Sequence, residues 1–241
     1  ADTITDSKPK FWRIELKLKN VAALGYATSE LLSDALALTS IYNVGFSDEL
    51  MFLVEDAIIN GDGASKPLGI VGHAATVSQA KETGQAASTI VFDNVRKMRT
   101  RQWARSRSNS VWLVNQEAEG QLSTMALVVG TGGVPVYLPA SGLQEDGLDR
   151  LYGRPVIPIE YCAALGTVGD IILADLSQYA MIRKGGVQQA SSMHVKFTTD
   201  EMAFRATYRC DGAPMWSAAL TPFKGTSGQT LSPIITLATR A

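Results

Sequence analysis

The helix-like and strand-like segments of this chain lie in separate blocks, and that order constrains the fold more than any single motif does. Apolar residues recur at helical spacing between residues 31 and 58, whereas three strand-like runs with short connections follow one another at residues 179–187, 193–198 and 204–210. Strands joined by short connections pair antiparallel, because a parallel pair needs a long crossover between its members. The sequence therefore predicts the α+β class rather than a repeated βαβ unit.

The helical block has recognisable ends. Thr28 or Ser29 can cap its start, since a hydroxyl oxygen accepts a hydrogen bond from a free backbone N–H of the first turn. Gly45 interrupts the pattern and Ser47 can cap a second stretch, so a bend at Gly45 stays open as an alternative to one straight helix. Asn60 is followed by a glycine, which is a common C-terminal stop. The pattern predicts a long helix that ends near Asn60.

The N-terminal region alternates between apolar and polar residues over positions 11–19. One face carries mainly charged side chains, and the apolar face consists of Trp12, Ile14, Leu16 and Leu18. This period of two predicts an amphipathic strand. Two interpretations of the strand stay open. It is either a half-buried edge strand or a projecting arm that buries its apolar stripe on a neighbouring subunit.

A basic segment lies near the middle of the chain. Asp93 is predicted to cap a helix over residues 94–104. This helix carries Arg96, Lys97, Arg99 and Arg101, and two more arginines, Arg105 and Arg107, lie just beyond it. Such a cluster could hold phosphate, but charge runs usually face water or pair with acidic groups. A strand follows at residues 111–114, and Asn115 is predicted to cap the next helix.

Composition and charge exclude several classes of function. The chain has 241 residues, of which 46% are hydrophobic, and its 22 Lys+Arg against 23 Asp+Glu give a formal net charge of -1. This balance argues against a nucleic-acid binder that acts through bulk positive charge. No apolar run reaches the roughly 18 residues that span a bilayer, so no membrane partner is expected.

Reactive side chains are sparse. His73 and His194 are the only histidines, and neither has a His or Cys at metal-ligand spacing, so no metal and no cofactor are predicted. There is no G-x-S-x-G elbow and no phosphate-binding loop with its lysine, so we predict that the chain is not an enzyme. Cys162 and Cys210 are expected to be buried reduced thiols, although a disulfide between them stays open.

Several runs together resemble a known family. They are Asn-Gly-Asp-Gly at 60–63 with Pro-Leu-Gly-Ile at 67–70, Val-Trp-Leu-Val-Asn at 111–115, Leu-Tyr-Gly-Arg-Pro-Val at 151–156, the stretch from Gly169 to Tyr179, and the stretch from Phe204 to Gly212. In this order and spacing the chain resembles the major capsid proteins of tailed bacteriophages with the Hong Kong 97-type fold.

The resemblance implies a division of the chain into domains. Residues 1–25 would be an incomplete extended-loop strand, because the N-terminal arm and outgoing strand of the family would have to precede Ala1. Residues 26–71 and 179–212 would form the peripheral domain, with a long spine helix and an antiparallel sheet. Residues 72–178 and 213–241 would form the axial domain.

The resemblance also implies a function. The chain would be a structural protein of the virion that self-assembles, as hexamers and pentamers, into an icosahedral shell enclosing phage DNA. Assembly would take place in the bacterial host cytoplasm with a portal and a scaffold or protease, and packaged double-stranded DNA would be contacted non-specifically. The alternative is an encapsulin-like nanocompartment shell that encloses a cargo enzyme. The candidate subunit-interface residues are Trp12, Ile14, Leu16, Leu18, Arg96, Arg99 and Arg101.

Overall fold

The computed structural model describes residues 12–34, 38–123, 125–129, 132–135, 149–225 and 228–240. In these ranges the chain forms four α-helices, which are α1 (Ser29–Asp34), α2 (Leu38–Asn60), α3 (Phe92–Arg101) and α4 (Gln116–Ser123). Its strands are β1 (Lys19–Thr28), β2 (Val77–Gln79), β3 (Val111–Val114), β4 (Ala126–Val129), β5 (Gly132–Pro135), β6 (Arg150–Leu151), β7 (Arg154–Pro158), β8 (Ile171–Ala174), β9 (Tyr179–Arg183), β10 (Gln188–Lys196), β11 (Glu201–Pro214) and β12 (Ile234–Leu237). Within these described ranges, β4 and β5 pair only with each other.

One sheet is built around β11, and we call it the β11 sheet. Each neighbour of β11 runs antiparallel to it: β1 and β10 pair with its first part, and β9 pairs with residues 210–214. α2 lies against this sheet, where its Leu50 and Val54 pack with Ala206, Tyr208 and Cys210. The predicted antiparallel set and the α+β class are confirmed.

The helix α2 runs through Gly45 and Ser47 without a break, so the predicted second cap at Ser47 is wrong. The Ser47 hydroxyl donates to the Asn43 carbonyl oxygen at 2.9 Å, and this bond satisfies the side chain inside a continuous helix. The predicted end at Asn60 is confirmed. None of the four helices in the described part of the chain is long and apolar enough to cross a membrane.

The predicted strand over residues 11–19 is wrong. Residues 12–18 belong to no strand, and strand pairing starts at Lys19, opposite Cys210; Phe11 lies outside the described residues. Beyond Cys210 the same edge of β11 is occupied, because Leu68 N–H donates to the Gly212 carbonyl oxygen at 2.8 Å. The N-terminal segment therefore cannot continue the ladder.

The other large sheet has the strand order β2-β12-β8-β3-β7-β6, and we call it the β3 sheet. β3 and β7 run parallel, while β8 is antiparallel to both β3 and β12. Side chains on both faces are buried, so β8 is apolar along its length and β12 is apolar except for Thr236. Trp112 lies fully buried on one face, where its indole N–H donates to the Leu151 carbonyl oxygen at 3.0 Å.

Two helix caps were predicted near this sheet, and the structure confirms the cap of α4 but not that of α3. The Asn115 side-chain oxygen accepts from Glu117 N–H at 2.9 Å, so Asn115 caps α4 as expected. α3 begins one residue before Asp93, and its capping contact runs from Val91 N–H to the Asn94 side-chain oxygen at 3.1 Å. An acidic residue in the first turn is favourable there without being the cap.

A buried ion pair joins the C-terminal segment to the start of β8. Arg240 and Asp170 are both closed to solvent, and Nη2 of Arg240 contacts Oδ2 of Asp170. Arg240 also donates to the carbonyl oxygens of Thr89 at 2.6 Å and Ala238 at 3.1 Å. The same carboxylate oxygen accepts from Gly166 N–H at 2.9 Å. Three separate chain segments therefore depend on this one pair.

Candidate assembly surfaces

The N-terminal segment is fixed at its C-terminal end by a buried carboxylate. Asp211 accepts from Lys17 N–H at 2.7 Å and forms an ion pair with the Lys19 ammonium at 3.1 Å. The same ammonium donates to the carbonyl oxygens of Gly63 and Lys66, both at 2.8 Å. Residues 12–18 therefore leave the β11 sheet from a well-defined point.

The apolar stripe of this segment lies partly on its own subunit. Ile14, Leu16 and Leu18 are half-buried, while the side chain of Trp12 is 52% exposed. Trp12 borders a shallow depression that Met215 and Trp216 also line. Spacing along the sequence could not link these two residues to Trp12, because they lie about two hundred positions away. An exposed indole beside another tryptophan is a typical contact point for a partner protein.

The basic residues predicted at α3 do not act as one unit. Arg96 pairs with Asp93 at 2.8 Å, and Arg101 donates to the Thr230 hydroxyl at 2.7 Å, so both guanidinium groups have partners in their own chain. Arg99 donates to the Gln102 side-chain oxygen at 2.6 Å. The role of all three in a subunit interface stays a prediction.

Arg99 and Arg107 of the basic segment lie near Arg154, a third positive charge that sequence spacing did not connect with them. Arg107 donates to the Arg99 carbonyl oxygen at 3.2 Å, and the Arg154 guanidinium donates to the Ser108 carbonyl oxygen. Burial lowers the pKa of Arg99, and the nearby charges of Arg107 and Arg154 lower this pKa further. We call Arg99, Arg107 and Arg154 the basic cluster. Among the described residues, no carboxylate forms an ion pair with any of them.

Carboxylates collect around Tyr161. The Tyr161 hydroxyl donates to Glu55 Oε2 at 2.6 Å, and this bond raises the pKa of Tyr161 to about 12, with smaller contributions from burial and from the charges of Glu55, Glu160 and Asp56. Glu119 lines a shallow depression with Glu160. We call Glu55, Asp56, Glu119 and Glu160 the acidic cluster. Within the part of the chain that the structure describes, none of these four forms an ion pair.

Large apolar side chains are exposed at two further places. On α2, Ile41 and Val44 are 63% and 61% exposed, and at the turn between β10 and β11 Phe197 is 76% exposed. Grouped exposed apolar side chains of this kind mark contact surfaces more often than isolated ones do. The helical pattern alone could not separate them from core residues.

The two cysteines are free and buried, so the disulfide alternative is wrong. Burial raises the pKa of the Cys162 thiol to about 12, with a smaller contribution from the charge of Asp170, and burial also raises the pKa of Cys210. In the described ranges, no group of three or more His, Cys, Asp or Glu side chains is placed to hold a metal ion.

Thiol reactivity tests this arrangement. Because only the thiolate is nucleophilic, iodoacetamide at about pH 8 is expected to leave both cysteines unmodified in the folded subunit and to alkylate both in denaturant. The readout is intact mass. A Ser191→Cys variant, which adds an exposed cysteine on β10, is the positive control. Rapid alkylation of Cys162 in the folded subunit would contradict the buried environment.

The chain resembles known capsid proteins over most of its length. Residues 1–225 match the sequence model of the Phage capsid family. The structure is similar to the capsid of an empty GTA particle, with TM-score 0.72 and 19% identity, covering 95% of this chain and 75% of that chain. It is also similar to a chain of Mycobacterium phage Adephagia, with TM-score 0.59 and 13% identity, covering 92% of this chain and 72% of that chain.

An encapsulin is a weaker structural match. For the SrpI encapsulin complex from Synechococcus elongatus the TM-score is 0.52 at 11% identity, covering 92% of this chain and 73% of that chain. None of the curated proteins compared with the chain matches it. The structural matches confirm the predicted capsid fold, and the family model covers far more than half of the sequence. The chain therefore belongs to the phage capsid family, and it is a structural protein of the capsid shell.

Proposed function

We propose that this chain is the major capsid protein of a tailed-phage particle. Copies assemble as hexamers and pentamers into an icosahedral shell that encloses double-stranded DNA, and the role of the chain is structural rather than catalytic. The match of residues 1–225 to the Phage capsid family carries this proposal. Assembly takes place in the host cytoplasm with a portal and a scaffold or protease, and the product is a virion.

The domain assignment is part of the proposal. The β11 sheet with α2 supports a peripheral domain of residues 26–71 and 179–212, and the β3 sheet supports an axial domain of residues 72–178 and 213–241. β1 crosses the proposed boundary at residue 25 and joins the extended-loop strand of residues 1–25 to the β11 sheet.

The N-terminal segment supplies one subunit contact. Trp12 leaves about half of its side chain in water, and the stripe of Ile14, Leu16 and Leu18 is half-buried. Covering a further area of about 100 Å² on a neighbour contributes about 2.5 kcal/mol for each contact. Since every subunit of a closed shell repeats the contact, a small gain per subunit becomes large for the particle.

The double variant Trp12→Asp/Leu16→Asp tests this contact. We expect it to fold but to form no shells, because two carboxylates would have to be desolvated at every copy of the contact. Electron microscopy measures the shells, and circular dichroism of the isolated subunit measures the fold. The matched variant Trp12→Phe/Leu16→Met keeps the apolar stripe and should assemble. Normal shells from the aspartate variant would rule out the contact.

The contents of the particle distinguish phage capsid from nanocompartment. Nuclease-protected DNA inside purified particles is expected for a phage capsid, whereas an enclosed enzyme without DNA would favour the encapsulin-like alternative. The lower similarity to the encapsulin supports the first outcome.

A further inference from the structure

We propose that the basic cluster of one copy contacts the acidic cluster of the next copy in the same ring. The two clusters lie near opposite ends of β3 and β7 in the β3 sheet. This inference rests on the proposed shell function and adds to it the partner of each cluster. It concerns Arg107, which lies just beyond the basic helix of the sequence, and Arg154, which the fold brings to it. Its other half is the acidic cluster, which lies near the opposite ends of β3 and β7 and includes Glu55 and Asp56 of α2.

The topology places the two clusters at opposite ends of one strand pair. β3 and β7 are parallel, with Trp112 opposite Val156. Arg154 is the first residue of β7, and Arg107 lies in the short turn of helix that precedes β3. Glu160 follows the end of β7, and α4, which carries Glu119, follows the end of β3. At about 3.3 Å per residue, the six steps from Arg154 to Glu160 span about 20 Å.

Neither cluster is neutralised inside the described part of its own chain. Burial, and after it the nearby charges of Arg107 and Arg154, lowers the pKa of Arg99. The hydrogen bond to Glu55, and after it burial and the neighbouring carboxylates, raises the pKa of the Tyr161 hydroxyl. The side chains within each cluster repel one another, and the two clusters have opposite signs. Contact between the basic cluster of one copy and the acidic cluster of another therefore reduces the repulsion within both. A contact between opposite clusters therefore lowers the electrostatic free energy of both surfaces.

The arrangement fits a ring of identical subunits better than a two-fold dimer. A ring uses head-to-tail contacts between two different surfaces, whereas a two-fold contact apposes a surface with itself and would set like charges together. Charge complementarity of this kind mainly selects the partner and its register. A nucleic-acid partner would neutralise only the basic cluster and would leave the carboxylates unrelieved.

Charge reversal tests the pairing. The variant Arg107→Glu/Arg154→Glu reverses the net sign of the basic cluster, and Glu55→Lys/Glu119→Lys/Glu160→Lys reverses that of the acidic cluster. Each variant alone should lower the yield of assembled particles at least about tenfold, because like charges then face each other. The chain that combines all five substitutions should assemble again, because its two clusters again have opposite charges.

Mixing the two reversed chains provides a sharper result. Both clusters of one chain are then acidic and both clusters of the other are basic. The two kinds of chain can therefore form a ring only if they alternate around it. Rings with an even number of subunits can close in this way, but five-membered rings cannot. We expect six-membered rings and open sheets or tubes by electron microscopy, and no closed icosahedral shells, since these need five-fold vertices.

Controls separate the failure of this inference from a failure of folding or of the proposed function. Thermal unfolding of each isolated subunit should match that of the unmodified chain, and Lys184→Glu, a charge reversal at an exposed position in the turn after β9, should assemble. If the unmodified chain forms no rings or shells, the proposed function is wrong. If it assembles and both reversed variants also assemble, only the pairing is wrong. The pairing is likewise overturned if Lys184→Glu blocks assembly equally, or if the arginine variant assembles normally and loses only DNA.

Discussion

Replacing Arg240 with alanine is expected to lower the free energy of unfolding of the isolated subunit by about 3–5 kcal/mol, because it leaves the buried carboxylate of Asp170 without its counter-charge. Both side chains are fully buried, and the remaining contact of the carboxylate would be the backbone N–H of Gly166. The carbonyl oxygens of Thr89 and Ala238 would also lose their donor. Urea-induced unfolding measures the change.

A double-mutant cycle shows whether the pair itself causes the loss. Asp170→Ala should be similarly destabilising, and Arg240→Ala/Asp170→Ala should cost less than the sum of the single changes, because neither charge is then left alone. Arg183→Ala removes an arginine from an exposed position and should change stability by no more than about 0.5 kcal/mol. A loss below about 1 kcal/mol for Arg240→Ala would show that the pair contributes little to the fold.

The Trp112→Ala variant should have an effect of similar size, a loss of about 3–5 kcal/mol. Trp112 is fully buried between Leu173 and Val156, its partners in the neighbouring strands, and its removal leaves a cavity in the β3 sheet core. It also takes the indole N–H from the Leu151 carbonyl oxygen. Thermal or urea unfolding of the isolated subunit checks this value.

The matched Trp112→Phe variant separates packing from the hydrogen bond. Phenylalanine keeps most of the apolar volume but cannot donate to Leu151, so its cost should be clearly smaller than that of alanine. Equal losses for the two variants would mean that the hydrogen bond, rather than the filled volume, dominates at this position.

Local signals in the sequence were sufficient for much of the fold. The β-strand runs late in the chain, the end of α2 at Asn60 and the cap at Asn115 all depend on residues within a few positions of each other. Such contacts form from neighbouring residues, so spacing and side-chain type predict them. The α+β class followed from the order of these elements.

Contacts between distant residues account for what the sequence could not predict. The alternation in residues 12–18 is real, since Ile14, Leu16 and Leu18 are more buried than their neighbours, but Leu68 takes the strand edge that these residues would need. Likewise, only the folded chain brings Arg154 near Arg99 and Glu55 near Tyr161 and Glu160, because these residues are far apart in the sequence. Period-two patterning predicts which side of a segment is buried, but not what covers it.

The position of β12 has a consequence for folding during synthesis. This strand lies between β2 and β8 inside the β3 sheet, yet it consists of residues 234–237, and Arg240 closes the packing just after it. During synthesis, β2, β3, β7 and β8 therefore leave the ribosome before β12, the strand that joins β2 to the rest of the β3 sheet. Pairings between such distant segments form late. Unfinished chains on neighbouring ribosomes thus lack a complete β3 sheet, and they cannot start a shell before translation has passed residue 240.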